Sequence, residues 1–113
     1  MEFTERLKKT EQFSLVYKNG RSRANEYLVL YVLPNSLSVN RLGISVSKKV
    51  GNSVVRHRVK RLILESYRLD ESAYLKGFDL VVIARAKANG AAFTDLKAAL
   101  RYLSKKQQVL ISV

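Results

Sequence analysis

Between Arg41 and Arg68 the spacing of apolar residues changes from two to near 3.6 across one short interruption, which few folds accommodate. In residues 41–47, RLGISVS, Leu42, Ile44 and Val46 alternate with Gly43, Ser45 and Ser47, the pattern of a strand with one apolar face. Gly51-Asn52-Ser53 then breaks the alternation, with Asn52 or Ser53 able to cap a helix. Past this break Val55, Val59, Leu62, Ile63 and Tyr67 recur at three- and four-residue intervals, the core-facing stripe of that helix. A strand that turns straight into a half-buried helix needs a sheet for that helix to lie on. The opposite face of the strand, made of Gly and Ser, leaves room for something to lie on it.

The rest of the chain supplies that sheet. Glu26–Leu33, EYLVLYVL, is rich in aromatic and β-branched residues and reads as a strand closed by Pro34-Asn35-Ser36. Gly77–Ala84, GFDLVVIA, is nearly continuously apolar, which predicts a central strand covered on both faces. A first helix is predicted from an N-cap at Thr10, with Phe13, Val16 and Tyr17 on one face and Gly20 as its stop. A last helix is predicted behind a cap at Thr94, with Leu96, Leu100 and Leu103 inward and Lys97, Arg101, Lys105 and Lys106 outward. The order α-β-β-α-β-α means an α+β fold, a two-layer α/β sandwich, in one domain over residues 1–113, with further strands left open.

Charge narrows the partner. The chain carries a net +12 with a pI near 10.2, and from Lys48 to Arg68 seven Lys or Arg stand against one acid, Glu65. A polyanion is the implied partner, nucleic acid first. A membrane surface fits less well, because there is no 18-residue apolar run and no Trp- or Phe-rich insertion face. Without cysteine there is no disulfide framework or thiolate metal site, and the first residues, MEFTERLKKTEQ, lack the apolar segment of a signal peptide, so a cytoplasmic protein is expected. At the start of the basic helix, free backbone N–H groups, the positive dipole end and the side chains of Lys48, Lys49 and Arg56 converge, and phosphate is the group they suit. The plainer reading of a charge run is a solvated face. Such a face would mix in carboxylates for i,i+4 pairs, and here only Glu65 is on hand.

The stretch SVSKKVGNSVVRHRVKRLI, preceded by Arg41-Leu42-Gly43-Ile44, resembles the signature of the bacterial ribonuclease P protein subunit, in which a Lys-Lys-x-Gly-Asn turn runs into an Arg-Asn-Arg-x-x-Lys-Arg helix. Leu7-Lys8-Lys9 with Phe13, Tyr17, Lys18 and Gly20 is similar to the family's N-terminal helix, and Tyr31 and FDLVVIAR up to Arg85 come in the family's order. Two departures stand out: His57 occupies the place of the usual Asn, and Leu64 that of a usual basic residue. Imidazole can still hydrogen-bond RNA or stack on a base, but the contacts of the usual amide do not carry over.

The resemblance implies a ribosomal-protein-domain-like sandwich with a left-handed βαβ crossover, against the usual hand. It implies a protein that helps a catalytic RNA remove the 5′ leader from precursor tRNA, with no catalytic residue of its own. Carried onto this chain, it assigns RNA contact to Lys48, Lys49, Asn52, Arg56, His57, Arg58, Lys60 and Arg61, and a leader cleft to Phe13, Tyr17, Tyr31, Ser45 and Ser47. The implied partners are the catalytic RNA subunit and precursor tRNA, with the protein monomeric in the particle, Mg²⁺ held mainly by the RNA, and none bound by the protein alone. The loop from Asn89 to Asp95 offers one carboxylate, Asp95, and is assigned no metal.

The aromatics have plainer readings as well. Phe13, spaced with Val16, also suits a buried helix face; Tyr17 and Tyr31 suit a partly wet site; Tyr67 belongs to the core. Two other functions compete. A protein nuclease acting alone would need a carboxylate cluster or a His pair, and His57 is the single histidine. A ribosomal or other structural RNA-binding protein shares the composition.

Overall fold

Phe78–Ala84 is the middle of the structure because its apolar run is flanked on both sides. The computed structural model describes residues 1–111, and over them a five-stranded sheet forms from β1 (Thr4–Arg6), β2 (Arg21–Ala24), β3 (Leu28–Pro34), β4 (Asn40–Ser45) and β5 (Phe78–Ala84). The spatial order is β1-β4-β5-β3-β2, with β4 parallel to both β1 and β5, and β3 antiparallel to β5 and β2. The helices are α1 (Thr10–Asn19), α2 (Ser53–Asp70) and α3 (Phe93–Lys106). Three strands, three helices and their order agree with the expectation; β1 and β2 are additional.

Alternation along the strands sorts the two faces. Leu28, Leu30, Val32, Leu42, Ile44, Leu80 and Val82 join Val59, Ile63 and Tyr67 of α2 and Leu96, Leu100 and Leu103 of α3 in the main core. The opposite face carries Tyr31, Leu33, Val81 and Ile83, and α1 packs part of it through Phe13 and Val16, with Leu7 alongside. The apolar side chains of β5 are buried on both faces of the sheet, and each contributes at about 25 cal/mol per Å² of apolar surface removed from water.

Two of the predicted caps are displaced. α1 begins one residue before its expected start, with Lys9 at the N-cap, and the Gln12 side-chain oxygen accepts from the N–H groups of Lys8 and Lys9 at 3.3 and 3.2 Å. α3 is capped at Ala92 rather than Thr94, because Asp95 reaches back to accept from the Ala92 N–H at 3.2 Å. In both, a side chain at the third helical position reaches back to the N–H of the capping residue and so sets where the helix starts. Asn52 caps α2 as expected, its Oδ1 accepting from Val55 N–H at 3.0 Å.

The short β1 is tied down from a distance. The Glu71 carboxylate accepts from the N–H groups of Glu2 and Phe3 at 2.8 and 3.3 Å, and Thr4 Oγ1 pairs with Tyr67 Oη at 2.7 Å. Burial works to raise the Glu71 carboxyl, but the hydrogen bonds from Thr4 and from those two amides outweigh it and hold the group below its ordinary value. Asn40, fully buried at the start of β4, gives its amide to the Leu75 carbonyl at 2.8 Å and accepts from Phe78 N–H at 2.9 Å. No helix among the described residues is long and apolar enough to cross a membrane.

Candidate nucleic-acid interface

The turn after β4 is anchored from below. Val50 is buried, while Lys48 and Lys49 beside it are exposed. A Cβ on Gly51 would stand 2.7 Å from a methyl of Val55, so glycine lets the chain fold onto the first turn of α2. The Asn52 carbonyl side of the amide is spent on the cap, which leaves its NH₂ as a free donor at the helix start.

Along α2, at ~100° per residue, the basic positions separate into flanks. Arg56 and Lys60 run along the border nearest β1 and α1, His57 and Arg61 lie on the exposed crest, and Arg58 lies on the border facing α3. Arg58 is partly engaged, donating to the Ala91 carbonyl at 3.3 Å. Arg56 is half-buried, and its Nε has no hydrogen-bond partner among the described residues. Among those residues, too, none of Lys48, Lys49, Arg56, His57, Lys60 or Arg61 joins an ion pair; the pairs are Arg41–Asp79, Arg68–Glu65, Lys87–Glu26, Lys97–Asp70 and Arg101–Asp70. Leu64, where a cation was wanting, is half-buried against the main core.

Arg41 is accounted for differently. Its guanidinium grips Asp79 twice, Nε to Oδ1 at 2.8 Å and an Nη to Oδ2 at 2.7 Å, and Asn35 donates to the same carboxylate at 2.9 Å. The Asp79 hydrogen bond holds the guanidinium above its ordinary value. This cation braces β4 against β5.

The five cleft residues divide. Phe13, Tyr17 and Tyr31 come together as a chain of rings, with centroids 6.3 Å apart for Phe13 and Tyr17 and 5.2 Å for the edge-to-face Tyr17 and Tyr31. Phe13 and Tyr31 are half-buried and Tyr17 is exposed. The Gly-Ser face of β4 is not vacant at its first position: the Phe13 ring lies on Gly43, so close that a Cβ there would meet it at 2.6 Å. Ser45, half-buried on the same face, continues the surface, whereas Ser47 lies beyond the end of β4 in the exposed approach to the turn.

A cavity of about 360 Å³ joins the two regions, lined by Arg6, Leu7, Lys8, Phe13, Ile44 and Lys60. Sequence reasoning did not assign Arg6 or Lys8 to the site. The signal was present as the basic ERLKK segment, but its side chains reach Lys60 only through the unforeseen β1. No group of three or more His, Asp or Glu among the described residues is placed to hold a metal ion.

A sequence model of the family Ribonuclease P matches residues 1–108. The chain is 56% identical over 109 residues to the ribonuclease P protein component of Lachnoclostridium phytofermentans, covering 96% of this chain and 94% of that one. It is 52% identical over 101 residues to the protein component from Caldanaerobacter subterraneus subsp. tengcongensis, covering 89% and 87%. Among solved structures, the RNase P protein of Staphylococcus aureus superposes with a TM-score of 0.86 at 37% identity over 94% of this chain and 97% of that one. That of Thermotoga maritima gives 0.83 at 36% identity over 90% and 96%.

Proposed function

Because the chain belongs to the ribonuclease P protein family and so serves in tRNA processing as a component of that ribonucleoprotein endonuclease, we propose that it holds the single-stranded 5′ leader of precursor tRNA in its aromatic cleft while its basic turn and helix face the RNA subunit. The reading of a ribosomal or other structural RNA-binding protein gives way to that membership. The observation that carries the proposal is adjacency. Lys60 of the basic helix and Phe13 of the ring chain line one cavity, so cations for phosphates and rings for bases share one surface.

Each part suits its task. Lys48, Lys49, Arg56, His57, Lys60 and Arg61 are free of carboxylates among the described residues and offer charge to phosphates, Asn52 offers its NH₂, and Arg58 contributes the donors that Ala91 leaves free. Tyr17 and Tyr31, with Phe13 behind them and Ser45 and Ser47 alongside, take unpaired bases by stacking. That costs little in sequence demand, since every base has a π-face, and a leader differs from one precursor to the next. Hydrolysis falls to Mg²⁺ held by the RNA, and the protein, monomeric within the particle and working in the cytoplasm, positions substrate and offsets phosphate repulsion.

The test is cleavage of a precursor tRNA at low Mg²⁺ by ribonuclease P RNA with and without this protein. Faster cleavage with the protein is expected; equal rates would overturn the reading. Within the holoenzyme, Tyr17→Ala is expected to weaken leader-bearing precursor by about 1–3 kcal/mol and leave mature tRNA unchanged. Equal losses for both would remove Tyr17 from the leader path.

A further inference from the structure

The cavity lined by Arg6, Lys8, Phe13, Ile44 and Lys60 has properties that neither the cleft nor the helix has alone. Its three cations come from β1, from the turn after it and from α2, and no carboxylate lines it. The Arg6 guanidinium is fixed by its Nε donating to the Leu42 carbonyl at 3.3 Å, which leaves its remaining N–H groups as donors.

A second observation concerns the sheet edge. The parallel ladder of β1 and β4 ends with Leu7 N–H donating to the Leu42 carbonyl at 2.9 Å. Backbone groups of successive strand residues point to opposite edges, so Leu42 and Ile44 turn theirs toward β1 while Gly43 and Ser45 turn theirs toward β5. At Ile44 β1 has already left, since the N–H groups of Lys8 and Lys9 go to the Gln12 side chain. The Ile44 N–H and C=O therefore face the cavity with no strand partner among the described residues. A hydrogen-bonding edge that β1 abandons, three cations and an aromatic ring converge on one small volume.

We propose that this cavity seats one nucleotide of a single-stranded RNA, its phosphate on Arg6, Lys8 and Lys60 and its sugar or base against Phe13 and the free Ile44 peptide edge. The inference rests on the leader reading above and extends it: the strand that stacks on Tyr31 and Tyr17 passes Phe13 and enters this cavity. Phosphate rather than a peptide carboxylate is the matched group, because a diester repeats its charge along the strand and the cations continue onto Lys60 and Arg56.

The test uses holoenzyme reconstituted with ribonuclease P RNA and a series of precursor tRNAs whose leaders lengthen one nucleotide at a time. For the wild-type protein, affinity is expected to rise with leader length until the cavity is filled. Lys8→Ala, whose side chain is exposed and makes no internal contact that folding needs, is expected to lose the last step of that rise, about three- to tenfold, and to bind mature tRNA as wild type does. Arg6→Ala should behave alike, with a thermal melt to confirm that β1 stays paired. One neutral methylphosphonate linkage, walked along the leader, should weaken the wild type at a single position and leave Lys8→Ala indifferent there. The proposal is overturned if Lys8→Ala matches wild type at every leader length, or if it weakens mature tRNA equally. It is likewise overturned if inorganic phosphate alone competes for Lys8 in the free protein while leader binding is untouched. Tyr17→Ala separates the two readings: if it loses leader dependence and Lys8→Ala does not, only the cavity assignment falls, and if Tyr17→Ala keeps full leader dependence, the cleft reading falls with it.

Discussion

At Gly43 a missing methyl group decides what a candidate binding surface looks like. Because the Phe13 ring occupies the place of a Cβ, Gly43→Ala pushes aside the far end of a side chain and leaves the backbone where it is. The expected outcome is a small stability loss, about 1 kcal/mol, with a larger loss of leader-dependent binding as the ring is displaced. Urea denaturation read beside precursor and mature tRNA binding checks both halves. Gly20 sets the contrast, since there a Cβ would meet the Val16 carbonyl oxygen at 2.6 Å and the backbone itself must move. Glu71 gives a prediction in pH. Its folded-state value is held below the ordinary 4.5, so its contribution is present in full above that value and is lost as pH falls through the lower, folded one. Glu71→Gln, which keeps the shape and one acceptor, should cost about 1–2 kcal/mol at neutral pH, and the gap to wild type should shrink on acidification below the ordinary carboxyl value of 4.5. Denaturation midpoints of the two proteins across that range measure it.

The helix α2 acts as an element with two working borders and a crest. If about five phosphates are neutralised in binding RNA, the log–log salt slope should lie near −3 to −4, and Lys60→Ala should reduce its magnitude by roughly one or less. Arg58→Ala should change it less than Lys60→Ala does, because Arg58 is shared with the Ala91 carbonyl. Filter binding across a salt series gives all three slopes, and equal slopes for the two variants would remove the distinction between the borders. This element was legible in sequence almost to the residue, since its stripe, its Asn52 cap and the absence of carboxylates before Glu65 are local properties. The three buried strands were legible for the same reason. β1 and β2 were not: Thr4-Glu5-Arg6 and Arg21-Ser22-Arg23-Ala24 neither alternate nor bury large apolar side chains, and only their ladders to β4 and β3 make them strands. The caps at Thr10 and Thr94 were misplaced because Gln12 and Asp95, from inside the helix, fix earlier residues as the N-caps by accepting from the N–H groups of Lys9 and Ala92. In the cleft, the grouping of rings came from helix spacing, whereas Phe13 resting on Gly43 depends on contact between segments 30 residues apart and leaves no local trace.

Over the whole molecule, the charge is sorted by what surrounds it. Asp79, Glu65, Glu26 and Asp70 pair with cations away from the Lys48–Arg61 segment, so the acids brace the scaffold and leave that segment bare. The wall of the cavity beside Ile44 has a different origin, because β1 is made first and completed late. Thr4 aligns with Asn40, and the amides of Glu2 and Phe3 are held by a carboxylate 69 and 68 residues further along. A chain growing on a ribosome thus carries a first strand that can meet β4 early but lacks its Glu71 anchor until the second helix has been made, and closing so long a loop is slow relative to local helix formation. Binding competence would then arrive as one of the last events of folding, and RNA that engages Arg6, Lys8 and Lys60 together would favour the chain that has finished.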